Sequence, residues 1–214
     1  MSVLDIDVIR KAELKLDPFE HFIGEDFVRP GAVADLQANF PDFRNAGFHP
    51  VPDEMMKGNF GQAIRELKSA EMSAALSEKF GFDFLPFPRF VTVRKVSAAH
   101  EGRIHCDSES KIMSLLLYLN EGWSSPDGRL RVLRGQNSFD DYAAEVDPKV
   151  GSVFAFMRRD HSWHGHTPFV GERRVIQVAW LRSQDEIDRK SKRHKMSGFL
   201  KNIFGSSKKP EMAS

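Results

Sequence analysis

His105, Cys106 and Asp107 place an imidazole and a carboxylate two residues apart, and Trp163-His164-Gly165 brings a further imidazole 57 positions after Asp107. In an extended strand, residues two apart project from the same face, so His105 and Asp107 can aim at one point. A histidine from a later strand would complete two neutral nitrogens and one anionic oxygen on one side of a cation. Such a 2-His-1-carboxylate set suits Fe(II) and leaves positions open for O2 and a co-substrate. His-x-Asp alone is a weak signal, because a surface His and Asp beside a turn give the same string. Its weight comes from position: it lies just ahead of the near-continuous apolar run Ile112 to Leu119, and a second histidine cluster follows beside another strand-like segment.

The elements that must hold these residues alternate in the right way. Phe90 to Val96 alternates and is β-branched, which predicts a strand, and a glycine-containing turn leads from it to a strand carrying His105. Ile112–Leu119, Leu130–Leu133, Ser152–Met157 and Arg174–Trp180 read as further strands, with Pro148 and Gly151 marking a turn. Ahead of them, Leu16 to Ile23 reads as a strand entered through Pro18, and Gly31 to Phe40 as a helix ended by Pro41. Residues 44–59 read as an irregular loop. Ile64, Leu67, Met72, Leu76 and Phe80 predict one long helix over Gly61–Phe80, with Gly81 as its C-terminal cap. Helices followed by many short strands predict a β-sandwich or barrel with a helical layer on one face. Trp123 and Gln136–Asp147 read as a lid over the mouth or as plain surface loop.

The 214 residues suffice for one well-buried domain, expected over 1–185 with a metal core at about 90–182. The single cysteine, Cys106, excludes an intramolecular disulfide and fits a reducing compartment. Strand alternation points it away from the metal, as a small filler rather than a nucleophile. No apolar run reaches the ~18 residues of a membrane span. Met1 to Asp5 lacks a basic-then-apolar leader, so a cytoplasmic location is expected. The net charge of +1 hides an asymmetry: Arg189 to Lys209 carries eight Lys or Arg and no acid, which leaves the remainder at about −7. This basic tail, within 186–214, holds Phe199, Leu200, Ile203 and Phe204 at amphipathic spacing. It reads either as a peripheral contact to an anionic membrane or acidic partner, or as a solvated terminus.

With these residues in place, the chain resembles the 2-oxoglutarate/Fe(II)-dependent dioxygenases, specifically their prolyl-4-hydroxylase-like group, over roughly Asp17 to Arg182. The resemblance rests on an ordered series: His105-x-Asp107, Tyr118-Leu119-Asn120, Asp127-Gly128-Arg129-Leu130-Arg131, Pro148-x-x-Gly151, His164-x-x-x-Pro168 and Gly171 to Trp180. Pro18 to Ile23 also looks like that group's first strand. The resemblance implies a double-stranded β-helix (jelly-roll, cupin-like) with N-terminal helices packed on one face. It implies Fe(II), 2-oxoglutarate and O2 as cofactor and co-substrates, held inside the mouth.

The family's distal histidine stands four residues before a proline and about nine or ten before a basic residue, which selects His164 over His161 and His166. An arginine fork neutralises the far carboxylate of 2-oxoglutarate. The family's distance to a tryptophan selects Arg174 for this, whereas its Gly-x-basic pattern selects Arg173. Neighbours on a strand face opposite ways, so one of the two points inward and the other is expected to face solvent. Tyr118 matches a tyrosine that binds the same carboxylate; packed in a strand, it reads equally as a buried aromatic. Two departures stand out: Phe90 to Ser97 lacks a tyrosine that many relatives carry, and Asp127-Gly128-Arg129 replaces Gly-Gly before leucine.

The implied reaction is hydroxylation of a C–H bond in a small molecule or protein residue, with 2-oxoglutarate decarboxylated to succinate. Asp107 favours this over halogenation, whose enzymes carry a small residue there. Ala179 or Trp180 stands where nucleic-acid demethylating relatives carry a second arginine, which argues against a nucleic-acid substrate. A metal-binding cupin-like barrel without oxygenase activity, or a His2Asp zinc hydrolase, is the rival. Neither needs an anion fork beside the metal.

Overall fold

The computed structural model describes residues 2–192; most of the basic tail, including its four apolar residues, lies outside the described residues. The elements are α1 (Asp7–Lys11), β1 (His21–Gly24), α2 (Val33–Ala38), β2 (His49–Pro50), α3 (Gly58–Leu67), α4 (Ala70–Phe80), β3 (Arg89–Ser97), β4 (Lys111–Tyr118), β5 (Leu130–Leu133), β6 (Tyr142–Val146), β7 (Val153–Met157), β8 (His164–Gly165) and β9 (Gly171–Leu181). Helical backbone over 184–192 ends the described chain. No helix among the described residues is long and apolar enough to cross a membrane.

Two antiparallel sheets face each other. The larger has the order β1-β7-β4-β9-β3-β2 and the smaller β6-β5-β8. Strand alternation sorts the core into two layers. On the outer face of the large sheet, Leu115, Leu117, Ile176, Val178 and Trp180 pack with Ile64, Leu67 and Leu76 of the helices. On its inner face, Leu116, Tyr118, Phe154, Phe156 and Val175 meet Leu130 and Val132 of the small sheet. Trp180 ties the layers further by donating from Nε1 to Ser73 Oγ of α4 at 3.1 Å. The expected helical layer on one face of a β structure is thus present.

Three expectations need correction. The single helix over 61–80 is two helices, α3 and α4. Ser69 breaks the run: its extended backbone makes it the N-cap of α4, and its Oγ accepts from Met72 N at 3.0 Å. Gly81 does cap α4, in the left-handed conformation at φ 65°. Second, 136–147 is neither lid nor loop throughout, because β6 forms the edge of the small sheet against β5. Third, His105 does not lie in a regular strand. It forms an isolated antiparallel bridge with His164, through reciprocal 3.0 Å backbone hydrogen bonds.

Candidate active site

That bridge brings together two of the three residues singled out first. The rings of His105 and His164 lie 4.3 Å apart between centroids, and Asp107 follows two residues on. Their ligand atoms all fall within 4.8 Å of one another, the one such cluster found among the described residues. His161, by contrast, is exposed, and His166 is buried but outside the cluster.

The tautomers suit a metal. Nδ1 of His105 lies 2.8 Å from the Arg103 carbonyl and Nδ1 of His164 2.8 Å from the Ser162 carbonyl. A carbonyl can only accept, so each Nδ1 carries the hydrogen and each Nε2 offers a lone pair. Burial, then the neighbouring His105, pushes the His164 imidazole down to about 4, which keeps it neutral. Asp107 Oδ1 accepts from Lys111 Nζ at 2.7 Å and Oδ2 from Ser114 Oγ at 2.6 Å. Burial pushes its carboxyl up, but the Lys111 charge, His164 and these hydrogen bonds outweigh it and hold it well below the usual range. Two imidazoles and one carboxylate anion on one side of a cleft are the donor set that Fe(II) takes.

The cleft is a cavity of about 260 Å³ between the sheets, and Arg94, Lys111 and Arg173 make its lining cationic. Larger surface hollows occur elsewhere, for example beside Phe80 and Arg182, but none contains the ligand cluster. Arg173 lines the cavity and is 1% exposed. Its Nε donates to the Gly128 carbonyl at 2.9 Å and its Nη2 to the Tyr118 hydroxyl at 3.4 Å. Gly128, at φ +79°, is hemmed in by Trp123 and Phe169, which a Cβ there would strike. Burial raises the Tyr118 hydroxyl above its ordinary value, so it stays protonated.

Arg174 points the other way, with Ile176 and Trp180, toward the helices. It pairs with Glu172 at 2.6 Å and stacks over Phe40 of the α2 end at 5.8 Å. Of the two arginines, only Arg173 reaches the cavity, and Arg174 leans on the helical layer rather than facing open solvent. Cys106 also points away, its Sγ 3.4 Å from the Asp160 carbonyl, and is half-buried.

Two charged cavity residues, Lys111 and Arg94, escaped the sequence reading, and His166, passed over there as a ligand, joins them. Arg94 is 8% exposed, paired with Glu101 at 3.1 Å and lying 4.3 Å over the Phe48 ring. Burial, then Arg173, lowers the Arg94 guanidinium to about 10, against the pull of Glu101. A signal existed: Arg94 alternates in phase with Phe90 and Thr92, between the apolar Val91, Val93 and Val96 of the same run, and a charge at such a position marks a pocket.

Residues 91–182 match the family model described as the 2OG-Fe(II) oxygenase superfamily. Among solved structures, the chain is similar to a prolyl-4-hydroxylase of Pseudomonas putida (TM-score 0.54, 19% identity, covering 83% of this chain and 89% of that one). It is also similar to a prolyl 4-hydroxylase of Phytophthora capsici (0.56, 18%, 94% and 72%). A third is a Trichoplax adhaerens prolyl hydroxylase in complex with a hypoxia inducible factor oxygen degradation domain peptide fragment (0.51, 15%, 89% and 90%). These likenesses show the double-stranded β-helix fold. No curated protein matches the chain.

Proposed function

We propose that this chain, whose residues 91–182 belong to the 2OG-Fe(II) oxygenase superfamily, hydroxylates a C–H bond of its substrate while 2-oxoglutarate is converted to succinate and CO2. The observation that carries this reading is the shared cavity: the His105/Asp107/His164 cluster and Arg173 line one space of about 260 Å³, and Arg173 is backed by the Tyr118 hydroxyl at 3.4 Å. His105, Asp107 and His164 hold the metal. Arg173 and Tyr118 receive the far carboxylate of 2-oxoglutarate, the arginine by charge and the hydroxyl by a hydrogen bond. Arg174 has no part in this. When bound, Fe(II) with 2-oxoglutarate and O2 supplies the oxidising power that breaks the C–H bond.

The protein's own contribution is orientation and exclusion. The Arg103 and Ser162 carbonyls fix the two imidazoles with Nε2 forward, and Ser114 fixes the carboxylate. Leu116 and Leu130 give the cavity an apolar wall, and Phe156 packs against the His164 ring at 4.6 Å. Asp107 fills the third protein position, which favours hydroxylation over halide transfer. The zinc-hydrolase and simple binding-barrel readings give no role to a buried cavity arginine backed by a tyrosine hydroxyl.

The test is succinate formation from 2-oxoglutarate with Fe(II), in wild type and Asp107→Ala, followed by mass spectrometry of a metabolite and peptide panel. The expected result is succinate from wild type alone, with one panel member gaining one oxygen atom. Equal turnover in both proteins would remove the oxygenase reading.

A further inference from the structure

Arg94 is too well buried and too incompletely paired to serve as packing alone. Its Nε lies buried without a hydrogen-bond partner, although the residue is 8% exposed and lines the cavity. Glu101 meets only Nη2, and the other Glu101 oxygen is held by the Ala98 N–H at 3.0 Å, so the carboxylate is not free to turn toward Nε. A second orphan lies on the same wall: Nε2 of His166 is buried without a partner, with Nδ1 against the Thr167 carbonyl. A donor and a ring nitrogen left bare in one small space call for a polar ligand, because an unpaired buried polar group costs free energy.

Charge narrows the ligand. Arg94, Arg173 and Lys111 bring three positive charges to the cavity, against two negative charges from Asp107 and, through Arg94, Glu101. On the reading proposed above, Fe(II) adds two positive charges and 2-oxoglutarate two negative ones. One positive charge is left over in a poorly solvated space, where an uncompensated charge is costly. Arg173 is matched to the far carboxylate of the co-substrate and Lys111 holds Asp107 at 2.7 Å, so of the three cations Arg94 is the one with a buried donor left without a partner.

We propose that Arg94 is a specificity residue that receives a carboxylate of the primary substrate, so that the substrate is a small carboxylic acid. The depth of Arg94, under Phe48 and in a cavity of about 260 Å³, fits a free small acid rather than a polypeptide.

The test uses the full chain with Zn(II) in place of Fe(II), so that nothing turns over, with and without saturating 2-oxoglutarate. Butyrate, valerate, cyclopentanecarboxylate, their primary amides and the peptide N-acetyl-Gly-Glu-Gly-amide are titrated by calorimetry. At least one free acid is expected to bind about ten-fold tighter than its amide, as loss of a charge-assisted hydrogen bond implies. Arg94→Met is expected to erase that preference while 2-oxoglutarate affinity changes by less than about three-fold. The double variant Arg94→Met with Glu101→Gln should behave alike, and it guards against a misfolded single variant left with an unpaired buried carboxylate. Equal binding of acids and amides to wild type overturns the proposal. So does a loss of about ten-fold or more in 2-oxoglutarate affinity in the Arg94 variants, which would make Arg94 part of the co-substrate clamp. Selective binding of the peptide would move the carboxylate onto a polypeptide and overturn the small-acid assignment. Failure of the underlying oxygenase reading would show separately, as metal-loaded wild type that binds no 2-oxoglutarate.

Discussion

The guanidinium of Arg173 stands 5.1 Å from the ring centroid of Tyr118 and donates to its hydroxyl at 3.4 Å. Two groups from adjacent strands, β9 and β4, are thereby held together, and in the function proposed here they meet one carboxylate. Arg173→Leu is expected to raise the KM for 2-oxoglutarate about ten- to hundred-fold, the equivalent of about 1.5–3 kcal/mol for a charged hydrogen-bond partner. Tyr118→Phe should cost less, about five-fold, and Arg174→Leu should leave this KM unchanged. Initial rates against 2-oxoglutarate concentration check all three.

Ser114 and Lys111 hold opposite oxygens of Asp107, and their removal should act in opposite directions on the metal. Ser114→Ala frees the carboxylate to rotate, and Fe(II) affinity should fall about ten-fold or more, as for other groups that orient a ligand. Lys111→Met removes a positive charge that competes for Oδ1, so Fe(II) should bind tighter. Metal titration under anaerobic conditions reads both, and a parallel loss in the two variants would contradict the assignment.

Acid should destabilise the metal-free protein in a defined window. Burial lowers His164 to about 4, and burial with Arg173 lowers His166 to about 3. The unfolded chain takes up protons at both as pH falls through about 6.5, while the folded chain resists until about 4 and about 3. The stability these neutral rings confer is therefore complete above about pH 6.5 and lost progressively below it. Urea midpoints at a series of pH values check this; a flat midpoint between about pH 6.5 and 4 would contradict it.

The break between α3 and α4 gives a stability prediction away from the site. Ser69→Ala removes the Oγ that accepts from Met72 N and should cost about 1 kcal/mol, read as a lower thermal midpoint with unchanged metal binding.

The long strands of the large sheet were legible because their residues alternate and are β-branched, from Phe90 to Val96 and from Arg174 to Trp180; its short edge strand β2, inside the segment read as an irregular loop, was not. So was the convergence of His105, Asp107 and His164, since the His-x-Asp spacing survives even though the segment forms only a bridge. The choice between Arg173 and Arg174 was not legible. It depends on which face of β9 meets the small sheet, and that is fixed by pairings to β3 and β4 far away in sequence. The helix break had a sign: Leu67 to Met72 is a five-residue step, out of phase with a single apolar stripe, and Ser69 lies inside it. β6, with its Tyr-Ala-Ala-Glu-Val sequence, carries little strand propensity and owes its form to pairing with β5. Arg94 and Lys111 reach the cavity through long side chains from separate strands, a convergence that only the folded sheets create.

The central claim is that His105, Asp107 and His164 bind one Fe(II) to which 2-oxoglutarate is then added. It is tested most directly by anaerobic titration of Fe(II), with 2-oxoglutarate present, following the visible charge-transfer absorption of the Fe(II)–2-oxoglutarate chelate. The account predicts a band that requires both components, saturates at one Fe(II) per chain and is absent from His164→Ala and Asp107→Ala. A band of unchanged intensity in His164→Ala would contradict it.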